Sequence, residues 1–315
     1  MKTILVTAIG SFSADIALRS LRDAGWRVIG CDIYPRQWLA NSLLTDGFYQ
    51  APLCADPDYL PFIRRVCESE GVQFLLPLTD LEVDVLSPCR QQLLELGVTL
   101  CISGEATIAL CRDKLTCFEH LRATTGLPLI PTRRLADVVP GEAPVPCVLK
   151  PRDGRSSQGL HKAPDARHWD FFIQELDPDR TLVQPMIEGR IVTVDVVRDA
   201  AGHCVCMPRR ELQRTLNGAG LTVETFWDEP LVQMCREAAQ ALSITGCVNF
   251  EWIDSPQGYY FLECNPRFSG GLAFSHMAGY ACVNNHMACF TGGEIEPQVI
   301  PQQRVLTRKY HEYSI

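Results

Sequence analysis

The chain has 315 residues, 46% hydrophobic and 21% charged, a composition typical of a soluble globular protein with a substantial core. Its net charge of −8 argues against a general nucleic-acid or anionic-membrane surface, because such surfaces need clustered Lys and Arg. No run of eighteen apolar residues occurs, and Asp15 and Arg19 follow the apolar start too soon for a signal peptide. The fifteen cysteines form no Cys-x-x-Cys pair, so we expect reduced thiols and a cytoplasmic protein.

The first hundred residues alternate between strand and helix patterns. Strands are predicted near residues 3–9, 26–32, 73–77 and 98–102, and helices near 16–24, 59–70 and 82–96. This alternation predicts a Rossmann-like parallel α/β domain over residues 1–104.

The first strand-to-helix turn contains Gly10 and Ser11, and Asp32 ends the second strand. The complete Gly-x-Gly-x-x-Gly fingerprint is absent, so a nicotinamide-dependent dehydrogenase is the least favoured class. The turn could still accept a carboxylate or phosphate at the helix N-terminus. Thr79-Asp80 lies at a comparable rim, where an N-cap is the simpler interpretation.

A second region begins at residue 105 with a helical pattern, and prolines then interrupt regular structure up to a strand that ends at Lys150. The loop that follows is rich in small residues: Gly154, Ser156, Ser157 and Gly159. Such a loop exposes backbone N–H groups to phosphate oxygens, while Lys150 adds a positive charge. The alternative is a plain surface hairpin, and the spacing is not that of a P-loop.

A short link between two strands follows at residues 184–189. Gln184 offers a side-chain amide and Ile187 a backbone N–H, groups that can bind the edge of an adenine. Met186 and Glu188 lie in the same link. Any hinge would have similar features.

Two runs rich in aromatic and β-branched residues, 247–253 and 259–263, flank a Pro-Gln-Gly turn and predict a β-hairpin. Side chains at i and i+2 share a face, so Glu263 and Asn265 should meet Glu251 from the partner strand. Three oxygen donors of this kind suit Mg²⁺, which is usually completed by water and substrate phosphates. The alternative is a solvent-facing pair of acids on an amphipathic hairpin.

Taken in order, these motifs resemble the ATP-grasp superfamily over roughly residues 105–275. They are Asp113-Lys114, Lys150 with its glycine–serine loop, the 184–189 link, and Glu251 followed twelve residues later by Glu263-Cys-Asn-Pro-Arg267. The N-terminal region and Arg209-Arg210-Glu211 are also similar to carbamoyl-phosphate-synthase-like and amino-acid-ligase members, pyrrolysine-type ligases included. The resemblance implies an α/β ATP-grasp fold with a small lid subdomain in a central region, 105–183, and a C-terminal α+β subdomain, 184–315.

The resemblance also implies roles for individual residues. Lys114 and Lys150 would contact ATP phosphates beneath a lid at 154–159, and the 184–189 link would hold adenine. Glu251, Glu263 and Asn265 would coordinate Mg²⁺, or Mn²⁺ in its place. Arg267, together with Arg209 or Arg210, would stabilise the transferred phosphoryl group or bind the substrate carboxylate. The family usually has a ribose-binding acid where Ile191 stands. Either Glu188 or Asp195 takes that task, with Asp195 expected to lie along the strand, or ATP binding is weakened.

We therefore expect an ADP-forming carboxylate–amine ligase that acts through an acylphosphate on small-molecule substrates. A carbamoyl-phosphate-type kinase is the runner-up, because it would share the site, although the chain has one grasp unit and no recognisable glutamine-hydrolysing domain. A non-catalytic ATP-binding protein is the third class. The resemblance admits a homodimer, and neither substrate can be identified from the sequence.

Overall fold

Three β-sheets organise the chain in the computed structural model, which describes residues 1–139, 141–155, 158–216 and 218–315. Within these ranges no helix is both long enough and apolar enough to cross a membrane.

The first sheet is parallel, and its strand order is β3-β2-β1-β4-β5. In chain order the elements are β1 (Thr3–Val6), α1 (Ala14–Asp23), β2 (Arg27–Asp32), β3 (Gly47–Gln50), α2 (Tyr59–Glu70), β4 (Phe74–Leu76), α3 (Asp80–Leu86), α4 (Arg90–Glu95) and β5 (Thr99–Leu100). Short 3₁₀ helices lie at Arg36–Trp38, Ala40–Leu44 and Ser87–Cys89. The predicted parallel α/β domain is therefore present, with its core strands fully buried.

Two details of this domain differ from the sequence prediction. The helix expected at 82–96 is divided into α3 and α4 by a 3₁₀ turn that contains Pro88, because proline lacks the N–H that an α-helix interior needs. The edge strand β3 was not predicted, since its residues Gly47–Gln50 are only partly buried and have no apolar alternation.

A four-stranded antiparallel sheet of order β6-β9-β7-β8 follows. The elements of this region are α5 (Glu105–Arg112), α6 (Lys114–Thr124), β6 (Arg133–Arg134), a 3₁₀ turn (Leu135–Asp137), β7 (Cys147–Pro151), β8 (His161–Ala163), α7 (Ala166–Phe172) and β9 (Thr181–Pro185). The expected boundary between residues 183 and 184 falls inside β9, and the change of sheet comes in the 186–189 segment.

The third sheet has six antiparallel strands in the order β14-β13-β10-β11-β12-β15. Its elements are β10 (Arg190–Arg198), β11 (Cys204–Arg214), β12 (Gly220–Thr225), α8 (Glu229–Ala241), β13 (Gly246–Ser255), β14 (Gly258–Asn265), α9 (Leu272–Met277), α10 (Cys282–Thr291) and β15 (Arg304–Thr307). The hairpin predicted from residues 247–263 is β13 and β14, closed by Pro256-Gln257.

The hairpin is fixed on its apolar side by a cluster of aromatic rings. Phe261 makes edge-to-face contacts with Phe118, Phe250 and Trp252, at centroid distances between 5.2 and 5.9 Å. Such pairs stabilise a core beyond the area that they bury. Since strand neighbours alternate in direction, this packing turns Glu251 to the opposite face of the sheet, and a bulge at Leu262 brings Glu263 to that face as well.

His286 of α10 ties the third sheet to the parallel domain. Its Nδ1 accepts a hydrogen bond from the Cys247 N–H at 2.8 Å, so its Nε2–H donates to the Cys101 carbonyl at 3.1 Å. The imidazole is fully enclosed, and burial lowers its pKa to about 3. The neutral imidazole thus makes a hydrogen bond to the backbone of each domain, to Cys247 of the third sheet and to Cys101 of the parallel domain.

Candidate active site

A row of polar side chains crosses the polar face of the third sheet. Strand register places Glu263 beside Glu251, Glu251 beside Thr193, and Thr193 beside Arg209. Asn265 lies two residues beyond Glu263 on the same face, beside Asn249. The hairpin therefore brings the three predicted metal ligands together.

The two acids of this row interact electrostatically. Burial raises the pKa of Glu251 to about 7, Arg214 opposes that rise, and the nearby Glu263 adds to it. Burial also favours the neutral form of Glu263, but Lys114 and Lys150 prevail and lower its pKa. Two close carboxylates repel each other, and a divalent cation bound between them would offset that repulsion.

The donor set fits a hard cation. Within the described residues no group of three or more His, Cys, Asp or Glu side chains forms a metal cluster, so an ion here would depend on two carboxylates and an amide. The amide nitrogen of Asn265 donates to Glu263 Oε1 and to Asn249 Oδ1, both at 3.3 Å. Rotating that amide by 180° would present its oxygen to an ion beside Glu263. Carboxylate and amide oxygens are the ligands that Mg²⁺ accepts.

Lys114 reaches Glu263 because the helical region from residue 105 is broken. Asp113 ends α5 and caps α6, where its side chain accepts the Thr116 N–H at 3.1 Å. Lys114 is then the first residue of α6, and its Nζ lies 3.5 Å from Glu263 Oε2 and donates to the Gly154 carbonyl at 2.6 Å. The predicted Asp113-Lys114 motif thus joins the acids to the glycine loop.

Lys150 is buried at the end of β7. Burial lowers its pKa to about 8, Glu263 opposes this, and Lys114 adds to it. The loop beyond it turns back on Pro151: a Cβ at Gly159, where φ is +68°, would lie 2.9 Å from the Pro151 ring. Ser156 and Ser157 lie outside the described residues.

The link at residues 184–189, predicted to hold adenine, has contacts that are mostly made within the protein. Gln184 is buried on β9 and pairs with Val148, so it shares a sheet face with Lys150, and its amide donates to Thr132 Oγ1 at 2.7 Å. The Met186 N–H donates to the Pro146 carbonyl at 3.0 Å. Ile187 is half-buried against the core, and Glu188 is exposed.

Arg267 is held by the N-terminal domain. Its guanidinium makes two contacts of 2.8 and 2.9 Å with Asp80 Oδ2, and a third nitrogen donates to the Phe268 carbonyl. Burial opposes the charge of Arg267, but Asp80 prevails and raises its pKa. Asp80, which the sequence suggested only as part of an N-cap, therefore orients the predicted catalytic arginine.

The structure separates Arg209 from Arg210. Arg209 is buried at the cavity, where it donates to Asp195 at 2.6 Å and to Ser269 at 2.8 Å. Arg210 points to the other face, where it contacts Asp254 at 3.1 Å and stacks on Phe226. Successive residues of a strand face opposite sides, so only one of the pair can reach the site.

The contacts of Asp195 and Glu188 show which of them could bind ribose in place of the acid that the family usually has at position 191. Asp195 is fully buried against Arg209 and Ser275, so its carboxylate is committed to the protein interior. Ile191 pairs with Ile253 on the next strand. Of the two predicted replacements, only the exposed Glu188 remains available to a ribose.

Of two charged residues of β11 at the site, the sequence analysis missed Arg214 and gave no role to Glu211. Arg214 donates to Glu251 Oε1 at 2.6 Å, and Glu211 lies 3.4 Å from Arg209. Regular alternation would place Arg214 on the face opposite Arg209. A bulge between Glu211 and Arg214 shifts the register and returns Arg214 to the polar face.

These groups surround a cavity of about 390 Å³. The predicted metal ligands and Arg267 form one part of its wall, and Arg209, Glu211 and Arg214 form another. The rest comes from two loops, Ser11–Ser13 of the parallel domain and Ser269–Gly271 after β14. The arrangement can therefore hold a charged small molecule between the acids of the sheet and the N-terminal domain.

Two sequence families match this architecture. Residues 4–101 match the family described as "PylC-like, N-terminal domain", and residues 177–312 match "ATP-grasp in the biosynthetic pathway with Ter operon". The chain therefore carries an ATP-grasp domain behind a PylC-like N-terminal domain, and the predicted family is confirmed.

Curated relatives extend over both domains. The 3-methyl-D-ornithine–L-lysine ligase of Methanosarcina barkeri is 24% identical over 96% of this chain and 78% of its own length. The carbamoyl phosphate synthase large chain of Agathobacter rectalis is 23% identical over 79% of this chain, which spans about a quarter (24%) of that relative.

Solved structures share the fold. N5-carboxyaminoimidazole synthetase from Staphylococcus aureus superposes with a TM-score of 0.78 at 16% identity, over 97% of this chain and 82% of its own. The biotin carboxylase domain dimer of Hydrogenobacter thermophilus 2-oxoglutarate carboxylase, in complex with MgADP and bicarbonate, gives a TM-score of 0.76 at 18% identity, over 94% and 71% of the two chains. The expected ATP-grasp fold is thereby confirmed.

Proposed function

We propose that this chain is an ADP-forming ligase that joins a carboxylate to an amine through an acylphosphate. The observation that carries the proposal is the pair Glu251–Glu263, set beside Asn265 and flanked by Lys114 and Lys150. Acids that hold a divalent cation, next to lysines that neutralise phosphate, are what phosphoryl transfer from ATP requires.

In the proposed reaction a carboxylate oxygen attacks the γ-phosphorus of ATP, and the bond to the β,γ-bridging oxygen breaks as ADP leaves. Mg²⁺ bound by Glu251, Glu263 and Asn265 would neutralise phosphate charge, and we propose that Mn²⁺ can replace it. Lys150, whose pKa of about 8 keeps it mainly protonated at pH 7, would hold the phosphates.

Arg267 would bind the carboxylate or the transferred phosphoryl group, because it lines the cavity beside the acids and is oriented by Asp80. The amine then attacks the acyl carbon, loses a proton, and phosphate leaves. The Ser11–Ser13 and Ser269–Gly271 loops would limit the access of water to the cavity. An acylphosphate needs this protection because it hydrolyses readily.

A second candidate is a carbamoyl-phosphate-type kinase, which the similarity to a carbamoyl phosphate synthase large chain favours. The two candidates differ in the acid that is phosphorylated, bicarbonate or an organic carboxylate. We also propose a homodimer, by analogy with the biotin carboxylase domain dimer, and a cytoplasmic location, because all fifteen cysteines are free thiols.

The test is ADP release from Mg²⁺-ATP with a panel of L- and D-amino acids, alone and in pairs, and with bicarbonate. Hydroxylamine is added as a trap, because it converts an acylphosphate into a hydroxamate. We expect carboxylate-dependent ADP release and a hydroxamate with an organic acid. Stimulation by bicarbonate alone would support the kinase instead, and release that no carboxylate stimulates would contradict the ligase.

A further inference from the structure

Two carboxylates on the cavity wall, Asp80 and Glu211, each have one oxygen without a hydrogen-bond partner within the described residues, and Asp80 is already bound by Arg267 through its other oxygen. The Glu211 side chain is only 2% exposed, and its Oε2 has no hydrogen-bond partner within the described residues. A buried carboxylate oxygen without a donor is costly, so such an atom marks the place where a donor is expected to bind.

The cations around the cavity do not supply that donor, because each is closely paired with another acid. Four arginines line the cavity, and their nearest acids are, respectively, Asp84 for Arg155, Asp195 for Arg209, Glu251 for Arg214 and Asp80 for Arg267. Arg209 is also 3.4 Å from Glu211 Oε1, but its Nε makes no hydrogen bond within the described part of the chain. The Glu211 side chain therefore has a charge contact with Arg209, which Arg209 also makes with Asp195, but no hydrogen bond within the described residues.

The sequence leaves room for this carboxylate. A Cβ at Gly220 would overlap Glu211 Oε2, so a side chain at that position would displace the acid. Gly218, Ala219 and Gly270 extend the wall of the cavity with small residues. Because these side chains are small, the part of the cavity beside Glu211 has room for a compact group of the ligand.

A second unpaired oxygen lies on the same face. Thr193 Oγ1 is buried without a hydrogen-bond partner in the ranges described, and Thr193 also lines the cavity. The register pairs Thr193 with Arg209, so it lies diagonally across from Glu211, two positions along β11. An ammonium group carries three donors and no acceptor, which suits two nearby acceptor oxygens.

We propose that Glu211, assisted by Thr193, binds a protonated amine carried by the carboxylate substrate, an amine distinct from the one that attacks the acyl carbon. This proposal rests on the ligase function proposed above, and it assigns the part of the cavity wall formed by Glu211 and Thr193 to the cationic group. A metal ion is a poorer occupant, because one carboxylate beside a guanidinium offers too few oxygens and an adverse charge.

The first experiment measures how strongly the protein prefers a substrate with an amino group over the same substrate without it. The amino acid that best stimulates ADP release is compared with its des-amino analogue, in the wild type and in Glu211→Gln. We expect the wild type to favour the amino acid at least tenfold in kcat/KM, with the preference carried by KM, and Glu211→Gln to reduce it to about twofold or less. Unchanged discrimination in the variant would overturn the proposal.

Glu224→Gln is the matched control. Glu224 lies on β12 and pairs with Arg210, so the same chemical change is made beside an arginine of the same sheet, but away from the cavity. The control should retain wild-type discrimination, and thermal unfolding of each variant verifies that it is folded. Loss of discrimination in both variants would indicate a general effect on the sheet and would contradict a specific role for Glu211.

A second experiment does not need turnover. Methylammonium chloride is titrated into the full-length protein, and binding is followed by saturation-transfer difference NMR. We expect a signal for the wild type that Glu211→Gln weakens at least fivefold and Glu224→Gln preserves. No signal, or an equal one in all three proteins, would refute the ammonium site. If this titration succeeds while no carboxylate stimulates ADP release, only the ligase proposal fails.

Discussion

Two polar regions of this molecule, the turn after β1 and the polar face of strands β10 and β11, differ in what their atoms contact. At the end of β1 the Gly10 N–H donates to Asp32 Oδ2 at 2.8 Å, and the Tyr34 N–H donates to the other oxygen at 3.0 Å. On the third sheet Glu211 Oε2 and Thr193 Oγ1 have no such partners among the described residues. The polar atoms of the turn after β1 are paired within the protein, whereas β10 and β11 present buried, unpaired oxygens to the cavity.

The presence or absence of hydrogen-bond partners distinguishes the Gly10–Asp32 turn, a structural element, from the Glu211–Thr193 surface, a candidate binding site. A buried polar atom contributes to stability when its hydrogen bonds are made inside the protein, and it costs free energy when they are not. The Gly10–Asp32 turn resembles a nucleotide-binding fingerprint only in residue type, because Asp32 occupies the N–H that an anion would use. The cavity of the third sheet keeps its acceptors for a ligand.

The largest effect is expected from removing charge at the acidic row. Glu263→Gln should lower kcat for ADP release about a hundredfold or more, since a neutral amide can no longer share a divalent cation with Glu251. Initial rates with saturating Mg²⁺-ATP measure this, and circular dichroism verifies the fold. Glu229→Gln, an exposed acid on α8, is the control. Normal turnover in Glu263→Gln would refute the metal assignment.

A smaller effect is expected at His286, where both ring nitrogens have partners inside the protein. Its pKa is about 3 when folded and near 6.5 when unfolded, so the folded state binds fewer protons between these values. The stability that neutral His286 provides is therefore complete above pH 6.5 and lost as the pH falls. From pH 6.5 to 5.5 the loss should be on the order of 1 kcal/mol.

Denaturant unfolding across this pH range provides the measurement. His286→Gln should lose most of that dependence, whereas a change of the exposed His276 to glutamine should keep it. A pH dependence that is identical in all three proteins would show that the buried imidazole does not carry it.

The smallest effect on activity is expected at the Gly10–Asp32 turn, whose polar atoms are hydrogen-bonded to each other. Asp32→Asn should leave kcat/KM within about twofold of wild type and lower the free energy of unfolding by about 1 kcal/mol, the net value of one hydrogen bond. Steady-state assays and denaturant titration test both parts. A tenfold loss of activity with unchanged stability would mean that this turn, too, contacts the substrate.

Much of the architecture followed from local pattern. The hairpin itself could be predicted from its two apolar runs and short turn, but the pairing of Glu251 with Glu263 depends on a bulge at Leu262 that alternation and turn length do not give. The parallel domain followed from its alternation of strands and helices, and the family prediction was confirmed by matches over both regions. The roles of the individual site residues stay predictions.

Other features depend on long-range contacts or irregular backbone. The pairing of Arg214 with Glu251 requires the bulge in β11, which leaves no mark in the sequence. Alternation could show that Arg209 and Arg210 face opposite sides, but not which one faces the cavity. The contact between Asp80 and Arg267 joins residues 187 positions apart, and only the packing of two domains creates it.

That last contact has a consequence for how such proteins can be recombined. Asp80 lies in the part of the chain that matches one sequence family, and Arg267 lies in the part that matches the other. A chimera that exchanges the N-terminal module of this chain would therefore have to retain an acid at the position of Asp80, or Arg267 would lose the contact that orients it.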